Sequence, residues 1–369
     1  MKILLFANTD WYLYNFRLPL AQALRQAGHQ VILLSPPGAH AARLQQAGFE
    51  WRPFDLRRNR LNPLGELLSL WQLTRLYRQI RPEIAHHFTI KPVLYGSLAA
   101  RFSGTRVINA ITGLGHVFTG KNRLLRLTAL SLYRLALRKT RVIFQNEEDR
   151  ALFLRLRLTD FPQTRLIPGS GVDLSRFAPL PLPASDSPLV ILPGRLLKAK
   201  GVREFVGAAQ RLRGKYPRAR FALVGESDFD NPDSISPAEL DGWQKEGAVE
   251  VWGWRENMRE VYAQASLVCL PSYREGLSRT LLEAAACARP IITSDAPGCR
   301  EMVRPGENGL LVPVADSAAL AAALDEMLAR PETWQSLGLA GRRLVAENFS
   351  LEKILAETVK VYEGIWEKK

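Results

Sequence analysis

Two glutamates, an arginine and a lysine in the second half of the chain have the types and spacing to hold a charged, hydroxyl-rich ligand. Glu275 and Glu283 lie in PSYREGLSRTLLEAAACARPII, residues 271–292. The apolar run 266–270 ahead of this segment reads as a buried strand, and 290–293 reads as another. Ser278 is a good helix N-cap, and Pro290 stops the helix behind it. Glu275 therefore falls in a strand-to-helix loop, and Glu283 falls about a turn and a half into the helix. In an open parallel sheet, ligands bind outside the carboxyl ends of the strands. Two carboxylates there can each grip a vicinal pair of hydroxyls, one on a sugar and one on a ribose. The amides of Gly276, Leu277 and Ser278 at the helix start offer N–H groups to anionic oxygens.

The cations come from GRLLKAKG, residues 194–201. Arg195 and Lys200 follow a buried apolar strand, so both can reach a diphosphate at the sheet edge. Charge-assisted bonds of this kind are worth about 1.5–3 kcal/mol each. Their value is greatest when the diphosphate is a leaving group, because its charge grows as the bond to it breaks. No His/Cys cluster has metal-ligand spacing, so no metal and no other cofactor is expected.

These groups need a scaffold, and the chain has the pattern of one. Strand-like runs at 2–7, 31–35, 107–110 and 142–145 alternate with helical stretches near 16–27, 39–47 and 124–138. A second series of strands begins at LVILPGR, 189–195, and continues at 221–225, 249–253, 266–270 and 290–293. Such alternation predicts parallel sheets with helices on both faces. The Pro- and Ser-rich PLPLPASDSP, 179–188, marks a linker. The expected fold is α/β: two doubly wound Rossmann-like domains facing a cleft. Their expected extents are 1–172, a linker at 173–188, and 189–350. The last stretch, 351–369, is expected to form a helix that crosses back to the first domain.

Bulk properties narrow the function. The 369 residues suit two or three domains, and no apolar run approaches the length of a membrane span. The start, MKILLFANTDWY, reads as a buried strand rather than a signal peptide, because its apolar part is short and meets Asp10. Three cysteines without ligand spacing suggest a reduced, cytoplasmic protein with no disulfide framework. The net charge of +14 is concentrated in the first half: residues 1–172 carry 25 Lys plus Arg against 9 Asp plus Glu. Arg57, Arg58 and Arg60 form one cluster. RLLRLTALSLYRLALRKTR, 123–141, sets Leu and Arg at near-helical spacing. That helix either lies on an anionic membrane surface or packs its apolar side on the core and leaves a solvated basic face. The charge excess as a whole attracts polyanions: nucleic acid, anionic lipid or a pyrophosphate-bearing substrate.

The segments 190–313 resemble the donor half of retaining nucleotide-sugar glycosyltransferases of family 4. The Glu275–Glu283 spacing and the Arg195/Lys200 pair carry the resemblance. It implies a two-domain GT-B fold, retention at the anomeric carbon, Glu275 on the donor sugar, Glu283 on the ribose, and Arg195 and Lys200 on the departing diphosphate. VWGW, 251–254, resembles the family's base-recognition loop, which implies donor contacts at Trp252 and Gly253. In DAPGCREMVRPGENGLLVP, 295–313, a similar segment shapes the cleft. GSGVDLSRFAP, 169–179, resembles the interdomain entry segment.

On the acceptor side, NTDWYLYNFR (8–17), HHFTIKPVLYGSLAA (86–100) and INAITGLGHVFTG (108–120) resemble the subset that extends sugars on polyprenyl, usually undecaprenyl, diphosphate. Arg17 is read as heading the first helix. His86, His87 and Lys91 are read at a short strand-like turn, IAHH. Together with Thr112, Gly113 and His116 they are the candidate acceptor groups. Several relatives carry a histidine or acid where Thr112 stands, and His116 is a candidate substitute. The expected function is transfer of an N-acetylhexosamine or hexose from a UDP-sugar to a polyprenyl-diphosphate-linked sugar during cell-surface polysaccharide assembly. The expected location is the inner face of the cytoplasmic membrane. Competing readings are a sugar-nucleotide epimerase of the same fold, a transferase acting on another membrane lipid, a two-carboxylate glycoside hydrolase, and a basic nucleic-acid-binding protein. The last lacks any recognised nucleic-acid motif. Donor, acceptor, linkage and oligomeric state are not specified by these patterns.

Overall fold

The computed structural model describes residues 1–56, 63–114, 123–183, 186–228 and 231–366. They form two units, Met1–Ser170 with Ile354–Lys369, and Gly171–Lys353.

The first unit is built on seven strands: β1 Lys2–Phe6, β2 Gln30–Ser35, β3 Glu50–Pro53, β4 Ile84–Phe88, β5 Arg106–Ile111, β6 Arg141–Phe144 and β7 Thr164–Leu166. All pair in parallel, in the order β3-β2-β1-β4-β5-β6-β7. The strand order reverses between β1 and β4. Successive side chains of β1 go to opposite faces. Ile3 and Leu5 join Leu20, Leu24, Ile354 and Tyr362 on one face, and Leu4 and Phe6 join Leu73, Tyr77 and Ala99 on the other. Both faces are covered, which is why β1 reads as an unbroken apolar run. Helix Leu351–Trp366 lends Ile354, Val361, Tyr362 and Ile365 to this core from Ile354 onward.

Two local readings change. The chain after β1 is already helical at Asp10–Tyr12, and runs through a π-helical stretch, Leu13–Arg17, before helix Leu18–Gln26. Arg17 thus closes this wide turn and stands at the N-cap of the helix that follows, so it heads that helix as expected. Buried Asp10 anchors the entry by accepting from His40 N at 2.7 Å and Ala41 N at 2.9 Å. IAHH is not a turn but most of β4, a central strand buried along its whole length. Its two histidines break the apolar pattern that reveals the other strands. A second π-helical stretch, Pro92–Gly96, follows it.

The second unit has six strands: β8 Leu189–Pro193, β9 Arg220–Val224, β10 Glu250–Gly253, β11 Leu267–Leu270, β12 Ile291–Ser294 and β13 Gly309–Val312. They too are parallel, in the order β10-β9-β8-β11-β12-β13, with the reversal between β8 and β11. The segment expected as a linker is fastened to this unit. Arg342 donates to the carbonyls of Leu174 and Phe177, and fully buried Arg289 donates to Pro181 O at 2.7 Å. These guanidiniums satisfy carbonyls that an irregular buried backbone would otherwise leave without partners.

Candidate active site

The loops after β8 and β11 meet at the reversal point of the second sheet. After β8 the chain passes Arg195 and enters a short 3-10 turn, Lys198–Lys200, closed by Gly201 at φ 72°. Gly201 packs on the Pro271 carbonyl, where any Cβ would overlap it, so the two loops come together only with glycine there. Gly298, at φ 78°, presses in the same way on the backbone of Glu275. Glu275 N donates to Pro297 O at 2.9 Å, which fixes the acid beside this contact.

Each side chain expected to hold the ligand has a partner within the protein, and Lys200 and Glu275 pair with each other. The Lys200 ammonium forms an ion pair with the Glu275 carboxylate, the two side chains being 20% and 15% exposed. Ser272 Oγ donates to the same carboxylate oxygen at 2.7 Å. Arg195, 57% exposed, pairs with Asp228 at 2.9 Å. Glu283 sits in helix Arg279–Ala286, with one oxygen bound by Arg279 at 2.6 Å and the other by the Tyr262 hydroxyl at 3.3 Å. Arg279 and Tyr262 escaped the sequence reading, although Arg279 is one helical turn ahead of Glu283, the spacing at which charges pair. A carboxylate has about four lone-pair sites, more than the contacts named here fill, so Glu275 and Glu283 can still accept from ligand hydroxyls. The three cysteines are buried and free, and burial pushes the Cys299 thiol up to about 12, so no thiolate chemistry arises here.

One donor-side expectation is corrected, and the positions of the others are as follows. Ser278 does cap the helix, its side chain accepting from Leu281 N, but its own amide donates to Gly298 O at 3.0 Å and is not open to a ligand. Leu277 buries its side chain in the core, and Gly276 beside it is buried. Trp252 and Gly253 lie at the carboxyl end of edge strand β10, two strands from β8, or about 10 Å along the sheet. The Trp252 indole donates to Glu250 at 2.8 Å, which engages its polar edge. The metal reading also passed over an Asp-x-Asp spacing, Asp228–Phe229–Asp230. Asp228 is the partner of Arg195, and residues 229–230 lie outside the described residues.

In the first unit the structure separates the acceptor candidates. His87 is fully buried, with Nδ1 2.9 Å from Asn109 Oδ1 and Nε2 3.0 Å from the Tyr77 hydroxyl. Burial lowers its pKa to about 4, so the ring is neutral. Its role is to cross-link the core, and it is withdrawn as an acceptor ligand. His86 is equally buried and faces the opposite side of the sheet, where Nδ1 lies 2.7 Å from the Tyr362 hydroxyl. Burial, with Arg17 and His87 adding to it, holds its pKa well below the usual imidazole value. Lys91 is paired with Glu66 at 3.1 Å. Arg17 is buried, bonds the Tyr12 hydroxyl at 2.7 Å and lies 4.3 Å over the Phe88 ring. Thr112 and Gly113 follow β5, both half-buried, with Gly113 at φ 135°. His116 lies outside the described residues.

With this geometry in view, the comparisons with known proteins are consistent across both units. A family model for group 1 glycosyl transferases matches residues 187–330, and one for glycosyl transferase 4-like domains matches residues 2–147. The chain is 28% identical to the N,N'-diacetylbacillosaminyl-diphospho-undecaprenol alpha-1,3-N-acetylgalactosaminyltransferase of Campylobacter jejuni, over 84% of this chain and 85% of that protein. It is 29% identical to the putative glycosyltransferase EpsD of Bacillus subtilis, over 98% and 96%. Among solved structures, Anabaena HepE in complex with UDP superposes with a TM-score of 0.80 at 19% identity, covering 99% of this chain and 100% of that one. A glycosyltransferase from Rickettsia africae gives 0.80 at 18% identity, covering 100% and 99%. Sequence models on both units and the architecture of both sheets therefore agree: the chain belongs to the group 1, family 4-like glycosyltransferases and has their GT-B fold.

Proposed function

We propose that this glycosyltransferase moves a hexose or N-acetylhexosamine from a UDP-sugar to a sugar carried on a polyprenyl diphosphate, with retention at the anomeric carbon and without a metal. The observation that carries the reading is the cluster at the β8/β11 reversal: Lys200 on Glu275, Arg195 at the rim, and Glu283 on the adjoining helix. UDP is bound in the HepE structures, and the Campylobacter relative is named for an undecaprenol-diphosphate substrate.

In this reading Glu275 accepts from hydroxyls of the donor sugar and Glu283 from the ribose. The Arg195–Asp228 pair is exposed, and such pairs are worth only about 0–1 kcal/mol, so Arg195 turns readily to a diphosphate. Lys200 holds Glu275 in place and adds positive charge beside the departing oxygen. The bond between the anomeric carbon and that oxygen breaks as the bond to the acceptor hydroxyl oxygen forms. The hydroxyl proton passes to the leaving diphosphate.

A lipid-linked acceptor requires contact with a membrane, and the first unit has a surface suited to it. Helix Pro63–Ile80 exposes Leu67, Leu68 and Trp71, the neighbouring helix Ser97–Ser103 exposes Phe102, and helix Arg123–Leu137 exposes Leu127 and Leu135. Arg75 lies 5.8 Å over the Trp71 ring. Apolar anchors flanked by arginines suit an anionic lipid surface. Among the described residues no helix is long and apolar enough to cross a membrane. The test is a panel of UDP- and GDP-sugars against polyprenyl-diphosphate sugars, with chelator present and absent, and the anomeric configuration of the product read by NMR. Inversion, strict metal dependence, or activity confined to free glycosides refutes the corresponding part of the reading.

A further inference from the structure

The reversal point of the first sheet holds a second cluster, different in kind from the first. Where β4 ends, Thr89 adopts φ 70°, a left-handed conformation that β-branched residues rarely take. Backbone strain of this kind gathers at ligand sites and switches. π-Helical segments, which are also frequent at functional sites, follow both strands that flank the reversal: Leu13–Arg17 after β1 and Pro92–Gly96 after β4.

Three polar atoms here are buried and have no hydrogen-bond partner among the described residues: Arg17 Nε, His86 Nε2 and Thr89 Oγ1. Two of them flank one ring, and the third belongs to the residue that follows it. The Arg17 guanidinium lies 4.3 Å over Phe88, the His86 ring centroid lies 4.1 Å from that of Phe88, and Thr89 is the next residue. In the tautomer in which the Tyr362 hydroxyl donates to His86 Nδ1, 2.7 Å away, the ring proton sits on Nε2. Arg17 Nε–H and His86 Nε2–H are then donors, and the Thr89 hydroxyl can act as a third. Burying donors without acceptors is costly, and three together indicate a missing acceptor-rich partner. Thr89 is only half-buried, so the cluster lies at the surface end of β4.

We propose that Arg17, Thr89 and His86 form an anion site for the diphosphate of the lipid-linked acceptor. The assignment rests on the acceptor class proposed above and deepens it by naming the groups that meet the diphosphate. It moves the site away from His87 and Lys91, which are already engaged, and brings in Thr89.

The experiment is calorimetric titration of the full chain, pre-saturated with UDP, with inorganic pyrophosphate, farnesyl diphosphate and inorganic phosphate. One diphosphate is expected to bind per chain beside UDP, and inorganic phosphate about tenfold more weakly. Arg17→Gln and Thr89→Val should each weaken diphosphate binding by about tenfold or more, and Thr89→Ser should keep it near wild type. UDP affinity should stay unchanged in all three. Thr89→Val should melt no lower than wild type, because it removes a hydroxyl with no partner, and this separates a binding role from a structural one. If Arg17→Gln fails to fold, the Val/Ser pair at position 89 still decides. Equal diphosphate binding by wild type and Thr89→Val, or no binding beside UDP, overturns the proposal and leaves the three groups to ordered water. Loss of UDP binding by the wild type would instead count against the donor site in the second unit.

Discussion

The two units share a parallel topology, with loops converging where the strand order reverses, yet their reversal points are chemically opposite. At β8/β11 the groups are charged and already matched: Lys200 with Glu275, Arg195 with Asp228, and buried Glu283 with Arg279. At β1/β4 they are buried atoms without a partner among the described residues, with a single guanidinium, a neutral imidazole and a hydroxyl, all able to donate. A site of matched pairs offers both acceptors and cations, as a ligand with hydroxyls and phosphates requires, and exchanges partners on binding. A site of unmatched donors selects an acceptor-rich group alone. In the two proposed sites, topology sets the place and side-chain pairing sets the kind of ligand.

The contrast can be tested at its strongest point first. Replacing Glu275 or Lys200 by Ala should lower the turnover of sugar transfer by about 10²–10³-fold, the scale of removing one preorganised electrostatic contact. Because the two form a pair, the double variant should lose much less than the product of the single losses. Near-wild-type turnover by either folded variant would detach the matched site from the chemistry.

The next effect is on stability and belongs to the first unit. The folded His87 pKa is depressed to about 4 from 6.5 by burial, so below pH 6.5 the unfolded chain takes up protons that the folded one refuses. The stabilisation is full above pH 6.5 and falls away as pH drops toward 4, by about 3 kcal/mol at most. His86 is shifted in the same direction and adds to the slope. Urea unfolding at pH 7 and pH 4.5 measures the loss. A His87→Gln variant should show a flatter dependence, and equal slopes for the two proteins would contradict the buried-neutral assignment.

Smaller effects follow at the surfaces. Arg195→Ala should raise the KM for the donor by about tenfold, the size of one charge-assisted bond, with little change in fold stability because its ion pair is exposed. Trp71→Ser should weaken binding to vesicles containing anionic lipid by about 1–2 kcal/mol while leaving turnover of a short-chain soluble acceptor intact. Binding unchanged in a vesicle flotation assay would move the membrane face elsewhere.

Legibility in the sequence followed the chemistry of burial. β1, β8, β9 and β11 are apolar runs because both faces of each sheet are covered, and these were readable directly. β4 was not, since IAHHF places two histidines in a central strand, and only Tyr77, Asn109 and Tyr362, distant in sequence, make their burial tolerable. The strand-loop-helix placement of Glu275 and Glu283 was readable from Ser278 and Pro290. The engagement of Lys200 with Glu275 was not, because a pair 75 residues apart leaves no local pattern. Composition likewise located the positive charge in the first half, but not that Leu67, Leu68, Trp71 and Phe102 stay exposed once their helices pack.

The amino-acid order by itself determined two parallel α/β units, the helix that starts at Ser278, and the presence of acids and bases at one sheet edge. These follow from short-range periodicity, caps and turn residues, which act over a few positions. Only the tertiary structure decided which charges neutralise one another, which histidines are sealed in the core, and which donors remain without acceptors. Those outcomes depend on distances between residues far apart in sequence, and in a low-dielectric interior a few ångströms separate a satisfied group from one that needs a ligand.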